Sequence, residues 1–280
     1  MAITIAIANE KGGVGKTTTA VNLAAGLALR LRDLEGAPGR VLLVDMDPQG
    51  HALLSTAFGQ HMAEENESLA ALLTETPPPS VQRMLRRSGN HPNLFFIPGN
   101  RPAMVEAART LPTLMANEIR LQRALQPAQA QFAYIIIDTP PTTGDLLINA
   151  LVAADQVIVP VETSYLGVSG LRELQRTIDA VRTHFRPDLN ILGYLPTLCE
   201  EQRSEAQEIL DELEKRYRGY VLAPIHKSTD LAYAHSSHMD VFTYRPPRQR
   251  RSDQIASSSR ATQEYAELVE VVLQATWPQA

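Results

Sequence analysis

The chain has 280 residues, 44% of them hydrophobic, and a formal net charge of −5. This composition favours a soluble globular protein with a sizeable core, and the acidic balance excludes a globally basic nucleic-acid binder. Cys199 is the only cysteine, so no disulfide can form within the chain, which suits a reducing compartment. We find no secretory signal pattern and no apolar run of about 18 residues, so we expect a cytoplasmic protein without a transmembrane helix.

The first motif is a glycine-rich turn between a predicted strand, residues 3–8, and a predicted helix. That helix has an apolar face formed by Ala20, Leu23, Ala24, Leu27 and Leu31. The turn, residues 10–18, reads EKGGVGKTT and ends like the phosphate-loop pattern G-x-x-x-x-G-K-[ST], although Glu10 stands where the first glycine belongs. Backbone N–H groups in such a loop and the N-terminus of the helix bind phosphate oxygens. Lys16 would neutralise the β- and γ-phosphates, and Thr17 would ligate Mg²⁺.

Two further apolar runs end in aspartate. Residues 41–44 are followed by DMDPQG and residues 134–137 by DTPP. The carboxyl ends of parallel strands form the ligand-binding edge of an open α/β sheet, so we expect Asp45, Asp47 and Asp138 there. The second run is typical of a Walker B strand, whose carboxylate helps to hold Mg²⁺. Ordinary solvated turns rich in aspartate and proline are the alternative for both segments.

Helical and strand patterns alternate along the rest of the chain. We predict strands at residues 94–97, 157–161, 191–195 and 221–225, and helices at 69–73, 104–125, 146–154, 168–184, 204–217 and from 262 onward. The strands are mostly continuous apolar runs, which is typical of a parallel sheet covered on both faces. The predicted fold is therefore α/β, a doubly wound, mostly parallel sheet with helices on both faces, of the P-loop NTPase type.

Three motifs together carry a family resemblance: KGGVGKTT at residues 11–18, DMDPQG at 45–50 and DTPP at 138–141. Their combination resembles the ParA family of partition ATPases, in the deviant-Walker group that includes MinD. The resemblance covers most of the chain and weakens toward its C-terminus. It implies a single deviant-Walker P-loop ATPase domain over residues 1–280, with ATP and Mg²⁺ as cofactors.

The resemblance also implies roles for individual residues. Lys11 resembles the signature lysine that reaches the nucleotide of the other subunit, so we expect an ATP-bound homodimer. Lys16 resembles the phosphate-loop lysine, and Asp47 resembles the acid that positions or activates the attacking water. The implied Mg²⁺ ligands are Thr17, Asp45 and Asp138, and residues 139–145 resemble a switch that senses the γ-phosphate. The implied nucleotide-binding residues are Lys11, Gly12, Gly13, Val14, Gly15, Lys16, Thr17, Thr18, Pro224 and His226.

Partition ATPases of this family bind DNA non-specifically as ATP-bound dimers, and a late segment carries two arginines. Here that segment, residues 224–230, reads PIHKSTD, with Lys227 in place of one cation and Asp230 where the second is expected. A basic run just downstream could neutralise several phosphates instead. The candidate DNA contacts are Lys227, Arg245, Arg248, Arg250, Arg251 and, with a one-residue offset from the family pattern, Arg203. A solvated basic loop is the alternative for this run.

The implied function is a ParA-like ATPase on the nucleoid that segregates or positions DNA or another cargo, with hydrolysis stimulated by a ParB-like adaptor or cargo protein. A MinD-like, membrane-recruited positioning ATPase is the alternative. That alternative requires a basic amphipathic terminal helix, whereas residues 262–280 contain three glutamates and no lysine or arginine. An iron–sulfur reductase would need paired cysteines, which a chain with Cys199 alone does not supply. A module that only holds nucleotide is disfavoured by Lys11 and Asp47.

Overall fold

The computed structural model describes residues 1–32, 39–50, 64–164, 170–200, 204–245 and 259–277. Within these ranges the strands are β1 (Ile3–Ile7), β2 (Val41–Asp45), β3 (Arg86–Arg87), β4 (Leu94–Phe96), β5 (Tyr134–Asp138), β6 (Gln156–Glu162) and β7 (Asn190–Thr197). They form one sheet in the order β3-β4-β2-β5-β1-β6-β7. Every pairing is parallel except that of β3 with β4. The predicted, mostly parallel sheet is therefore confirmed.

Helices cover both faces of this sheet. They are α1 (Lys16–Arg32), α2 (Leu69–Thr74), α3 (Val81–Met84), α4 (Arg101–Thr110), α5 (Arg120–Leu125), α6 (Asp145–Ala153), α7 (Leu171–His184), α8 (Ser204–Arg216), α9 (Thr229–Ser236) and α10 (Arg260–Thr276). The predicted start of α7 at residue 168 lies outside the described residues. None of the helices in the described ranges is both long enough and apolar enough to cross a membrane.

Alternating side chains of the strands divide the core into two layers. Ile5 and Ile7 of β1 pack in a cluster with residues of α1 and α10, whereas Ala6 packs in a cluster with residues of α6 and α7. All three side chains are fully buried. Burial on both faces explains why the strands read as continuous apolar runs rather than as alternating ones.

Gly26 of α1 lies against Val269 of α10 and the ring of Phe242. A Cβ at this position would lie 2.6 Å from Val269 Cγ2 and 2.9 Å from the ring of Phe242. The missing side chain therefore lets the two helices pack against each other directly.

The prediction of a strand at residues 221–225 is wrong. The segment runs beside β7, with hydrogen bonds from Leu222 N to Tyr194 O (2.8 Å) and from Ile225 N to Pro196 O (2.8 Å), but it forms only isolated bridges. Pro196 and Pro224 have no backbone N–H, so a continuous ladder of hydrogen bonds cannot form.

The predicted helix over residues 104–125 is broken into α4 and α5. Helix α4 ends at Thr110 because Pro112, which has no N–H to continue the helix, lies in the following 3₁₀ turn. Ala116, with φ 53°, then takes a left-handed conformation that interrupts the chain again before α5. The short helix α3, helix α9 and the two-residue strand β3 were not predicted.

The position of β1 between β5 and β6 determines where a ligand can bind. Ile7, at the end of β1, is in register with Asp138 of β5 and with Ile158 of β6. Strand order changes direction here, because the chain passes from β1 to β2 on one side and later returns to β6 on the other. Ligands of open α/β sheets bind at the carboxyl edge of such a switch point.

Candidate functional site

The loop between β1 and α1 has the backbone conformation that its glycines allow. Gly13 (φ 77°) and Gly15 (φ 81°) lie in the left-handed region, which side chains disfavour. A Cβ at Gly13 would have no described atom within 4 Å, so conformation rather than space favours glycine there. Thr197 Oγ1, at the end of β7, donates a hydrogen bond to Val14 O (2.9 Å). This bond fixes the loop to the carboxyl edge of the sheet.

Lys16, the first residue of α1, lies inside the loop. The residue is 6% exposed, and its Nζ donates to the carbonyl oxygen of Lys11 (2.8 Å). Burial lowers the pKa of Lys16, and the charges of Asp138 and Asp47 oppose that decrease. The ammonium group is therefore held by a neutral acceptor, and a phosphate oxygen would be a stronger, charge-assisted one.

Asp138, at the end of β5, is completely buried. Thr17 Oγ1 donates to Asp138 Oδ2 (2.7 Å), while Oδ1 has no hydrogen-bond partner among the described residues. Burial, and next the charge of Asp45, raise the pKa of Asp138 well above its ordinary value, against the opposing effects of Thr17 and Lys16. A buried polar atom without a partner costs free energy, and a bound cation would remove that cost.

These oxygens fit a Mg²⁺ ion. Asp45 is 3% exposed and in register with Asp138, so two carboxylates lie at adjacent strand ends. The Thr17 hydroxyl of α1 contacts the second of them. In the described ranges no group of three or more His, Cys, Asp and Glu side chains could hold a metal ion by itself. Mg²⁺ usually keeps several waters and binds through one or two carboxylates together with substrate phosphates. The site therefore suits a metal that binds with a phosphate ligand.

Asp47 lies in the tight turn that follows β2. Its N–H donates to Asp45 Oδ1 (3.0 Å), and its own Oδ1 accepts from Gln49 N (2.9 Å). Gly50 N closes the turn on the carbonyl oxygen of Asp47 (2.9 Å). The turn holds the half-buried Asp47 close enough to affect the pKa values of Lys16 and Asp138.

Lys11 is bound to its own chain at the end of β6. Its Nζ lies 2.5 Å from Glu162 Oε2, and the two side chains are 26% and 33% exposed. Asn9, which is fully buried, accepts from Lys11 N (2.9 Å) and donates to Pro160 O (2.7 Å). Asn9 and Glu162 were not predicted as site residues from the sequence. Glu162 ends an apolar strand, which is the signal that identified Asp138, so the same reasoning applied to β6 could have found it.

The predicted switch, residues 139–145, lies against the glycine-rich loop. Thr139 is buried, and its Oγ1 donates to Ile7 O (2.9 Å) at the end of β1. A Cβ at Gly12 would lie 3.6 Å from Cβ of Pro141, which begins the exposed part of the segment. One end of the segment is therefore anchored in the sheet, and the other faces solvent beside the loop.

A cavity of about 500 Å³ adjoins the loop at Gly15 and Thr18. His226 lines it and is held by Glu264, whose carboxylate accepts from His226 N (2.8 Å) and lies 2.6 Å from His226 Nδ1. Pro224 is half-buried and is not among the described residues that line the cavity. The structure thus brings His226 to the loop but not Pro224. Glu264 was not predicted, since no local pattern links it to a residue 38 positions away.

The described candidates for DNA contact have partners within the chain. Lys227 is exposed and pairs with Glu200 (3.0 Å), and it also lines the cavity. Arg245 is exposed, and its guanidinium donates to the carbonyl oxygens of Phe242 and Tyr244. The other candidates lie outside the described residues: Arg203, Arg248, Arg250 and Arg251.

Comparison with known proteins identifies the family. The AAA domain model AAA_31 matches residues 2–191. The chain is 40% identical to the chromosome partitioning protein ParA of Myxococcus xanthus (strain DK1622) over 223 residues, 77% of this chain and 70% of that protein. It is 36% identical to the sporulation initiation inhibitor protein Soj of Bacillus subtilis (strain 168) over 243 residues, 86% of this chain and 91% of that protein. A solved structure of cobyrinic acid a,c-diamide synthase from Mycobacterium smegmatis, with bound ATP analog and magnesium, is 30% identical with a TM-score of 0.75, covering 98% of this chain and 95% of that one. The chain therefore belongs to the ParA family of partition ATPases.

Proposed function

We propose that the chain is a Mg²⁺-dependent ATPase that forms an ATP-sandwich homodimer, binds double-stranded DNA non-specifically and segregates or positions DNA or another cargo. In this proposal a ParB-like adaptor or cargo protein stimulates hydrolysis, and the protein works in the cytoplasm on the nucleoid. The observation that carries the proposal is the convergence of Lys16, Thr17, Asp45 and Asp138 at one edge of the sheet. Residues 1–280 are proposed to act as one ATPase domain, because α10, the last described helix, packs in the same core cluster as α1, the first helix.

ATP fits the loop and the cavity beside it. We assign the phosphates to residues 11–18, where backbone N–H groups and the N-terminus of α1 favour anions. The cavity lined by His226 is assigned to the remainder of the nucleotide. Thr17, Asp45 and Asp138 would hold Mg²⁺, which when bound neutralises charge that develops on phosphate oxygens. Binding of a relative of this fold to an ATP analog and magnesium supports the assignment.

The proposed hydrolysis depends on positioning and on charge, because phosphoryl transfer leaves a protein little covalent work. In the proposed complex, the Lys16 ammonium donates a hydrogen bond to a phosphate oxygen and neutralises part of the charge of that phosphate. Asp47, fixed by its turn with Asp45, orients the attacking water. Lys11 of each subunit pairs with the nucleotide of the other and acts as an arginine finger does, so that hydrolysis requires the dimer.

Non-specific DNA binding is tested by a gel shift on random duplex DNA with and without ATP. We expect the chain to bind DNA only with ATP, and we expect the triple variant Arg248→Ala, Arg250→Ala and Arg251→Ala to bind more weakly. The slope of the logarithm of the binding constant against the logarithm of the salt concentration should become flatter by about 0.9 for each phosphate contact that is lost. The control replaces three exposed arginines elsewhere, Arg83, Arg172 and Arg176, and so removes the same charge. Binding that is the same with and without ATP contradicts the proposal. Unchanged binding by the first variant moves the contact to Lys227 and Arg203.

The membrane-recruited alternative receives no support from α10. The apolar face of this helix is buried against the sheet and α1: Tyr265, Leu268, Val269 and Val272. Insertion of that face into lipid would therefore require α10 to leave the core. Flotation with anionic vesicles and ATP checks this point, and the proposal expects no recovery of protein with the vesicles.

A further inference from the structure

We infer that Glu162 is a positioning residue for Lys11: in a free subunit it holds the Lys11 ammonium on its own chain, and this contact must open before Lys11 can reach the nucleotide of a partner subunit. The inference rests on the proposed ATP-sandwich dimer. It adds a control on dimerisation that is built into each monomer.

The backbone of Lys11 is fixed in place beside β6. Asn9 is fully buried and bridges the two, since its side chain accepts from Lys11 N (2.9 Å) and donates to Pro160 O (2.7 Å). Two residues beyond Pro160, Glu162 ends the strand, and its carboxylate lies 2.5 Å from Lys11 Nζ. The contact is therefore a consequence of how β6 lies beside β1, and both partners lie on anchored backbone.

The same short segment is bound at two further points. Thr177 Oγ1 of α7 donates to Glu10 Oε1 (2.9 Å), and Lys16 Nζ donates to the carbonyl oxygen of Lys11 (2.8 Å). A phosphate oxygen competes with the Lys11 carbonyl for Lys16 and so weakens the second of these bonds. Arrival of the nucleotide therefore loosens Lys11 from one side, and the ion pair with Glu162 is the contact that remains on its side chain.

The Lys11–Glu162 ion pair is weak enough to open and close reversibly. Its side chains are about a quarter and a third exposed, so water and salt reduce the attraction between the charges. A partly exposed ion pair of this kind is weak, and two copies must open for each dimer. Loss of both is expected to lower the dissociation constant of the ATP-bound dimer by about twofold to thirtyfold.

The experiment compares Glu162→Gln with the wild-type chain by sedimentation velocity, across protein concentrations, with a non-hydrolysable ATP analog and Mg²⁺. Glu162→Asp keeps the charge and is expected to restore much of the wild-type behaviour. Glu173→Gln is the matched control, because Glu173 is an exposed acid near the same loop that affects the pKa of Glu10. We expect tighter dimerisation for Glu162→Gln alone. Binding of the analog to the monomer, measured at low protein concentration, should be the same in all four proteins.

Each outcome has a distinct meaning. If Glu162→Gln dimerises as the wild type does, or more weakly, Glu162 does not restrain Lys11 and the inference is wrong. If Glu173→Gln tightens the dimer equally, the effect comes from net charge and the inference is also wrong. If the wild-type chain forms no dimer with the analog at any concentration, the proposed sandwich dimer itself fails. Melting temperatures within about 2 °C of the wild type show that the variants are folded.

Discussion

Replacement of Asp138 by asparagine removes a charge from a completely buried side chain and keeps an oxygen that can accept the Thr17 hydrogen bond. In the wild-type protein without ligands, Asp138 Oδ1 has no described partner, and Asp45 lies beside it at the end of the neighbouring strand. Burial and the Asp45 charge raise the pKa of Asp138 in the folded state. Ionisation of this group therefore opposes folding at neutral pH.

The sign of the effect and its pH dependence follow from the direction of that shift. Below the pKa of the unfolded chain, Asp138 is protonated in both states and imposes no penalty. As the pH rises above that value, the unfolded chain ionises first, so the folded wild-type protein loses stability. We expect Asp138→Asn to raise the free energy of unfolding at pH 7 by about 1–2 kcal/mol, typical of relieving a destabilised functional site. The advantage should shrink as the pH is lowered toward the pKa of the unfolded carboxyl, about 4.

Urea unfolding at pH 7 and at pH 4, with EDTA and no nucleotide, measures this effect. Asp188→Asn is the control, because Asp188 is an exposed acid 50 positions from Asp138 in the sequence. Its free energy of unfolding should stay within about 0.5 kcal/mol of the wild-type value. The same Asp138 variant is expected to lose hydrolysis by at least about 100-fold, because it removes a charge aimed at the metal and phosphates. A variant that is less stable than the wild type at pH 7, or whose advantage does not depend on pH, would refute the reasoning.

Three other substitutions test separate parts of the structure. Lys16→Ala should abolish binding of a labelled ATP analog in a titration, because it removes the cation inside the loop, and retained affinity would exclude Lys16 as a phosphate ligand. Gly26→Ala should lower the free energy of unfolding by about 1–3 kcal/mol in urea, because its Cβ would overlap the packed side chain of Val269; a gain of about 1 kcal/mol, as in an open helix, would contradict this. Asp240→Asn removes the negative charge from the buried contact with His91 (2.7 Å) and should cost about 3–5 kcal/mol. Burial raises the pKa of Asp240, but the contacts with His91 and then with Thr243 outweigh burial and lower this pKa below its ordinary value. The stability that the contact contributes is therefore present above the pKa of the unfolded carboxyl and is lost as the pH falls through the lower pKa of the folded state. Equal acid unfolding of variant and wild type would contradict this role of the pair.

The parts of the site that lie at strand ends could be predicted from local sequence. Asp45 and Asp138 each follow a run of apolar residues, and the parallel sheet brings such positions to one edge whatever the order of the strands. The glycines of the loop were also predictable, because the chain needs left-handed backbone at Gly13 and Gly15.

The parts that sequence reasoning missed depend on contacts between distant residues. Lys11 and Glu162 are 151 positions apart, and His91 and Asp240 are 149 apart. No periodicity or spacing joins them, since each pair meets only when separate strands and loops are in place. Strand β3, Arg86–Arg87, was not predicted for a different reason. Two residues are too few to show the alternation of side chains that identifies a strand.

In the proposed function, Lys11 makes dimerisation depend on bound ATP. Light scattering coupled to size-exclusion chromatography, with a non-hydrolysable ATP analog and Mg²⁺, tests it most directly. We predict that the wild-type chain elutes with twice the 30.8 kDa subunit mass, as does the control Lys215→Ala, whose lysine is exposed on α8. Lys11→Ala should bind the analog and remain at the subunit mass. A dimer of Lys11→Ala that forms with the analog as readily as the wild type would contradict the account.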